Sequence, residues 1–130
     1  MSASMSSSPS RGTILVVDDD RDVREGIADV LIDEGYVVAM ASHGAEALAK
    51  MRNGPLPRLV LLDLMMPVLD GWGFRASQRA DPALSHVPVI LVTASGDCRG
   101  DDIRLGFDAC LPKPIALDRL FQLVAAHLAK

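Results

Sequence analysis

Three carboxylates follow two short apolar runs in this sequence. Asp18 and Asp19 come directly after Thr13–Val17, and Asp63 ends the run Leu59–Leu62. Four consecutive apolar residues are typical of a strand buried on both faces, and an α/β sheet places its chemistry where such strands end. Carboxylates brought this close repel each other until a proton or a cation intervenes. A ligand set of hard oxygens alone favours Mg²⁺ or Mn²⁺ over zinc.

One hydroxyl and one ammonium group end two further apolar runs. Thr93 follows 87–92, and Lys113 follows 109–111 and is one of only three lysines in the chain. An ammonium group can meet a phosphoryl oxygen, and a hydroxyl can donate from the other side. With an aspartate nucleophile and a divalent ion, these groups form a site that can accept a phosphoryl group as an acyl phosphate. Phosphoryl transfer needs positioning and charge neutralisation more than a strong base.

Strand-like and helix-like segments alternate along the chain and must position these groups. The apolar runs predict five strands, at 13–17, 37–41, 59–63, 87–92 and 109–111. Amphipathic spacing and capping residues predict five helices. The first is capped by Asp20 or Asp22 and closed by Gly35, the second runs from a Ser42 cap to Arg52, and the third spans Gly71–Ala80. The fourth is a weak polar helix from Asp97 to Leu105, and the fifth has one apolar stripe formed by Leu117, Leu120, Phe121, Val124 and Leu128.

Short connections between alternating strands and helices favour a parallel sheet with right-handed crossovers. Five such units predict an α/β fold, a doubly wound parallel sheet with strand order 2-1-3-4-5. Strands 1 and 3 are then neighbours, so Asp18, Asp19 and Asp63 converge. Thr93 and Lys113 end strands 4 and 5 on the same edge of the sheet.

Composition limits the remaining possibilities. The length of 130 residues predicts one domain. The net charge of −4 gives the chain no overall basic field that would attract nucleic acid. Residues 1–12 are rich in serine and predict a disordered tail before a domain at 13–130. No leader peptide is indicated and no apolar run reaches membrane-spanning length, so we expect a cytoplasmic protein without membrane insertion. Cys98 and Cys110 are accordingly predicted to be reduced thiols, with Cys110 a small buried hydrophobe.

Four short motifs, each at the end of a predicted strand, resemble the receiver domain of two-component response regulators. The resemblance covers about residues 13 to 129. The motifs are Val17-Asp18-Asp19, Asp63 with Met66-Pro67 and Asp70-Gly71, Thr93-Ala94, and Lys113-Pro114. Each motif alone is modest, but all four in this order are specific. The resemblance implies the flavodoxin-like (βα)₅ fold.

The resemblance also implies a role for each matching residue. Asp63 would take a phosphoryl group from a phosphohistidine on a sensor histidine kinase or a phosphorelay protein. Asp19 would bind Mg²⁺ directly, Asp18 would bind it through water, and Asp63 and the backbone carbonyl of Met65 would complete the metal site. Thr93 would turn toward the phosphoryl group. Lys113 would contact a phosphoryl oxygen, and its bond to the following proline would be cis. Such a protein is a phosphoacceptor that catalyses only its own phosphorylation and dephosphorylation.

Two features depart from the family pattern. Cys110 stands where the family usually has Tyr or Phe, and the segment between Thr93 and Lys113 is shorter than usual. No linker or DNA-binding region follows the last predicted helix. We therefore expect a stand-alone receiver that docks to a downstream protein target and does not bind nucleic acid directly, although an excised part of a larger protein is an open alternative.

Two other functions are compatible with the sequence. The missing aromatic residue suggests a degenerate receiver that acts as a constitutive interaction module. The pattern Asp18-x-Asp20 suggests an aspartyl-phosphate phosphatase of the haloacid dehalogenase type, with Asp18 as nucleophile. Asp22 stands where that second pattern expects Thr or Val, and the chain has little room for a substrate-covering cap.

Overall fold

The computed structural model describes residues 12–94, 98 and 106–128. Their strands are β1 (Thr13–Val17), β2 (Val37–Ala41), β3 (Leu59–Leu62), β4 (Val89–Ala94) and β5 (Ala109–Lys113). Their helices are α1 (Arg21–Asp33), α2 (Gly44–Asn53), α3 (Gly71–Ala80) and α4 (Leu117–Leu128). The strands form one parallel sheet in the order β2-β1-β3-β4-β5, which confirms the predicted fold.

The central strands β1, β3 and β4 are buried on both faces, and alternate strand residues supply two apolar clusters. Val17 and Leu62 lie in one apolar cluster with residues of α2 and α3. Val16 and Leu61 lie in the other, with residues of α1 and α4. Every residue of β3 is buried, because helices cover both of its faces. This double burial explains why the strands read as continuous apolar runs.

Helix α1 begins and ends as its sequence predicts. The Asp20 side chain caps it and accepts hydrogen bonds from the N–H groups of Asp22 and Val23. Gly35 follows its end with a φ of +94°, a conformation that favours glycine. Asp20 therefore turns the chain directly from the end of β1 into a helix.

Helix α2 begins later than predicted, because His43 and not Ser42 is its N-cap. The Nδ1 atom of His43 accepts a hydrogen bond of 3.1 Å from the N–H of Glu46. Ser42 instead donates from its N–H and its hydroxyl to Glu46 Oε1, at 2.7 and 2.8 Å. The serine hydroxyl is used as a donor, so the ring nitrogen of the next residue accepts in its place.

Strand β4 also begins later than predicted, at Val89 rather than at Val87. The N–H of Val87 donates to Leu84 O at 3.2 Å, which keeps it in the preceding turn. Pro88 has no N–H to add to the sheet.

The last helix buries Leu120, Val124 and Leu128, but Leu117 is 47% exposed and lies outside the buried stripe. None of the described helices combines the length and apolar character that crossing a bilayer requires. The predicted tail at 1–12, apart from Gly12, lies outside the described residues. So does the predicted helix at 97–105, apart from Cys98.

The two cysteines are joined, so the prediction of reduced thiols is wrong for this structure. A disulfide links Cys98 to Cys110, whose Cα atoms lie 5.4 Å apart. Cys110 is half-buried and lies opposite Leu91 in the sheet, so it is not a fully buried hydrophobe. A spacing of twelve residues alone does not show that the two chain positions meet.

Candidate functional site

The three predicted carboxylates meet at the carboxyl ends of β1 and β3. Oxygen atoms of Asp18, Asp19 and Asp63 lie within 4.8 Å of one another. The sheet brings them together, since the N–H of Asp63 donates to Val17 O at 2.9 Å and so continues the pairing of β3 with β1. Asp18 and Asp63 are buried, whereas Asp19 is exposed. The cluster is therefore open to solvent on one side.

Lys113 reaches this cluster from the end of β5. Its Nζ atom lies 3.1 Å from Asp18 Oδ2 and 3.7 Å from Asp63 Oδ1. Burial lowers the pKa of the Lys113 ammonium, but the hydrogen bond to Asp18 and the charges of Asp18 and Asp63 outweigh burial and raise it. The ammonium group therefore stays charged beside both carboxylates. The Lys113–Pro114 bond is cis, as the resemblance implied.

Asp63 is held where its negative charge is disfavoured. Burial, followed by the nearby charge of Asp18, raises the pKa of Asp63 from 3.8 to about 6. The ammonium of Lys113 and the N–H of Met65, which donates to Asp63 Oδ1 at 3.4 Å, oppose this rise. A further cation at the cluster would relieve the excess negative charge.

Two contacts that hold Asp18 in place were not predicted. The N–H of Asp20 donates to Asp18 Oδ1 at 2.9 Å. The guanidinium of Arg24 donates to the backbone carbonyl of Asp18 at 2.7 Å. The sequence offers one signal for the Arg24 contact: Arg21 and Arg24 are the only basic residues between Asp18 and Glu34.

Thr93 lies at the same edge of the sheet as the carboxylates. It is 2% exposed, stands opposite Pro112, and is followed by Ala94, which stands opposite Lys113. The register thus puts the hydroxyl and the ammonium at adjacent levels of β4 and β5.

The loop after β3 is shaped by residues of the Asp70-Gly71 motif. Asp70 caps α3 by accepting a hydrogen bond of 2.9 Å from the N–H of Gly73. The N–H of Gly71 donates to Leu64 O at 2.8 Å, and a Cβ at Gly71 would lie 3.0 Å from the Leu64 Cα. Glycine therefore lets α3 begin close against the segment that carries Asp63. Met65, in the same loop, is 67% exposed.

The donor set fits a small divalent cation. Carboxylate oxygens are the ligands that Mg²⁺ prefers, and the exposed side of the cluster would leave room for its water ligands. Asp18, Asp19 and Asp63 are the residues that could hold it.

Comparison with known proteins agrees with this arrangement. The family model of the response regulator receiver domain matches residues 14–125. The chain belongs to this receiver-domain family. This receiver domain is a signalling module. Its curated relatives are named as regulators rather than as enzymes.

Curated relatives extend the likeness over most of this receiver domain. Response regulator Rre1 of Synechocystis is 38% identical over 122 residues, 91% of this chain and 52% of its own length. The CpxR homolog of Haemophilus influenzae, a transcriptional regulatory protein, is 39% identical over 90% of this chain and 50% of its own length. The receiver domain thus spans about half the length of these relatives.

Solved structures share the fold. A putative response regulator from Chloroflexus aurantiacus has a TM-score of 0.84 and 32% identity, and the match covers 92% of this chain and 98% of that one. Chemotaxis response regulator CheY4 of Vibrio cholerae has a TM-score of 0.78 and 27% identity, with 88% and 97% of the chains covered.

Proposed function

We propose that this receiver domain accepts a phosphoryl group on Asp63 and thereby changes its interactions with other proteins. The observation that supports the proposal is the convergence of Asp18, Asp19 and Asp63 within 4.8 Å, with the Lys113 ammonium 3.7 Å from Asp63 Oδ1. Membership of the family implies a histidine kinase or a phosphotransfer protein as the donor.

Asp63, rather than Asp18, is the better nucleophile. Both oxygens of Asp18 accept hydrogen bonds, from the N–H of Asp20 at 2.9 Å and from Lys113 at 3.1 Å. The contacts to Asp63 Oδ1 are longer, at 3.4 Å from Met65 N and 3.7 Å from Lys113. This difference argues against the phosphatase alternative, which requires Asp18 to attack.

The remaining residues have complementary roles in the proposed transfer. Lys113 neutralises one oxygen of the incoming phosphoryl group, and the Thr93 hydroxyl donates to another. Asp18 and Asp19, with Asp63 and the Met65 carbonyl, would hold Mg²⁺ or Mn²⁺. The ion would supply the charge that stabilises the phosphoryl oxygens. Because Asp18, Asp63 and Lys113 are placed by strand ends, these charged groups need little reorganisation during transfer.

Acetyl phosphate with Mg²⁺ tests the proposal without a cognate kinase. We expect intact-mass measurement to show one added phosphoryl group on the parent protein and none on Asp63→Asn. Asp70→Asn is the matched control: Asp70 lies in the same loop, but its carboxylate caps α3. It should be phosphorylated like the parent. Phosphorylation of Asp63→Asn at the parental rate would refute the assignment.

We propose that this receiver domain acts in the cytoplasm and that its downstream partner is another protein. The net charge of −4 supports a protein target over nucleic acid for this domain. Several relatives are named as transcriptional regulators or regulatory proteins, and this receiver matches about half of their length. Comparing DNA binding by this chain before and after phosphorylation would test the proposal, and we expect none in either state.

A further inference from the structure

The disulfide between Cys98 and Cys110 links a residue that follows β4, the strand of Thr93, to β5, the strand of Lys113. Cys98 follows Thr93 by five residues, and Cys110 precedes Lys113 by three. In the sheet, Pro112 stands opposite Thr93 and Lys113 stands opposite Ala94. The cross-link is therefore close in sequence to the paired strand ends that carry the Thr93 hydroxyl and the Lys113 ammonium.

The Cys110 end of this bond is rigidly held. Cys110 lies within the β4–β5 ladder and packs against the apolar cluster under α2 and α3. Just before it, the buried Phe107 ring contacts Trp72 edge-on, with ring centroids 5.4 Å apart. The Gly106 carbonyl accepts hydrogen bonds of 2.8 and 2.6 Å from the buried Arg75. The bond thus attaches Cys98, on the chain that leaves β4, to a fixed strand.

Both sulfur positions suit a reversible bond. The two residues are half-buried rather than fully enclosed by the fold. Their Cα separation of 5.4 Å is within the range of protein disulfides. We propose that Cys98 and Cys110 form a redox modification site: thiol–disulfide exchange with a low-molecular-mass disulfide closes the bond, which restrains the end of β4 and slows phosphorylation of Asp63. The effect on phosphorylation rests on the function proposed above.

The exchange is balanced by the disulfide reagent alone. One cysteine thiolate attacks the reagent and forms a mixed disulfide, which releases the first reagent thiolate. The second cysteine thiolate attacks the protein sulfur of that mixed disulfide and releases the second. The two cysteines lose two electrons, the reagent gains them, and the two thiol protons pass to the released thiolates.

The restraint affects phosphorylation because Thr93 is 2% exposed and therefore tightly surrounded. A phosphoryl group on Asp63 has to fit at the same edge of the sheet, and the end of β4 must adjust to receive it. When Cys98 is tied to β5, the end of β4 has less freedom to adjust. Reduction restores that freedom.

Glutathione buffers and acetyl phosphate test this inference on the full chain. Alkylation followed by mass measurement should show a Cys98–Cys110 disulfide in oxidised glutathione and two free thiols in reduced glutathione. Amide hydrogen exchange at Thr93 should be faster in the reduced protein. With Mg²⁺ and acetyl phosphate, the reduced protein should be phosphorylated faster by about threefold or more. Cys98→Ser/Cys110→Ser, which has no thiol to exchange, should match the reduced parent in both buffers, and Cys98→Ala/Cys110→Ala is a second variant without thiols.

The outcomes separate this inference from the function it rests on. Failure of the disulfide to form in oxidised glutathione overturns the modification site, and equal amide exchange and equal rates overturn the restraint. If neither redox form is phosphorylated, the proposed function fails. Amide exchange at Thr93 then decides the restraint, with faster exchange on reduction supporting it and unchanged exchange overturning it.

Discussion

Asp63 lies where its negative charge lowers the stability of the folded protein at neutral pH. Burial and the charge of Asp18 raise its pKa in the metal-free protein from 3.8 to about 6. Because the folded protein holds this proton more tightly than the unfolded chain, the contribution of Asp63 to stability is greatest below the unfolded pKa and is lost as pH rises through the folded pKa. At neutral pH the ionised group therefore opposes folding.

Asp63→Asn should stabilise the metal-free protein at neutral pH, because the amide carries no charge into the cluster. We expect a gain on the order of 1 kcal/mol in the free energy of unfolding. The gain should disappear when pH falls below the unfolded pKa of 3.8. Urea unfolding in EDTA at both pH values measures it.

Asp18→Asn is the matched control for this experiment. Both Asp18 oxygens accept hydrogen bonds, so an amide group would present a donor to another donor at one of them. This variant should gain no stability at neutral pH. Equal stabilisation of both variants would mean that general charge repulsion, not the setting of Asp63, explains the effect.

Helix α3 carries a buried polar contact that binds it to the start of β5. Arg75 is 7% exposed and donates to the Gly106 carbonyl and to Gln78 Oε1, the latter at 2.8 Å. Its guanidinium also lies 3.3 Å from Asp108 Oδ2. Burial lowers the pKa of Arg75, and the charge of Asp108 opposes that effect. The planar fork satisfies several acceptors at once, which an ammonium cannot do.

Arg75→Lys should therefore destabilise the protein although the charge is kept. We expect a loss of roughly 2 kcal/mol, because buried acceptors would be left without donors. Arg52→Lys is the matched control, since Arg52 pairs with Asp81 at 3.2 Å and its side chain is 48% exposed. A surface pair of this kind should change stability by no more than about 0.5 kcal/mol. Similar losses in the two variants, by urea unfolding, would contradict the buried role of Arg75.

The elements differ in how much their sequence reveals. The strands were predictable because burial on both faces leaves a continuous apolar run, as in β3. The start of α2 was not, because Ser42 and His43 can both cap and only the hydrogen bonds that Glu46 makes decide between them. Arg75 and Gln78 resemble a solvated helix face in composition. Only their spacing from Gly71 and Phe74 indicates that they lie on the buried side.

At the scale of the whole molecule, strand order was predictable because short connections leave few parallel arrangements. The convergence of Asp18, Asp63 and Lys113 followed from that order. The disulfide was not predictable, since the meeting of Cys98 with Cys110 depends on the path of the chain between two strands. The local sequence pattern therefore predicts which residues lie at the strand ends, whereas a contact such as Cys98–Cys110 depends on the three-dimensional structure.

The same convergence predicts that a divalent ion stabilises the whole domain. An ion that binds only the folded protein adds about 1.4 kcal/mol to unfolding free energy when its concentration is tenfold above its dissociation constant. We expect Mg²⁺ to raise the melting temperature of the parent protein over NaCl of equal ionic strength.

Asp19→Asn should fold as well as the parent without metal, because Asp19 is exposed. It should lose most of the gain from Mg²⁺, because it removes a charged oxygen ligand from the cluster. Asp29→Asn, an exposed position on α1 away from the cluster, should keep the full gain. Because no phosphoryl donor is present, thermal unfolding with and without Mg²⁺ examines the metal site alone. An equal gain in Asp19→Asn and Asp29→Asn would show that the ion acts through general screening and not at the three carboxylates.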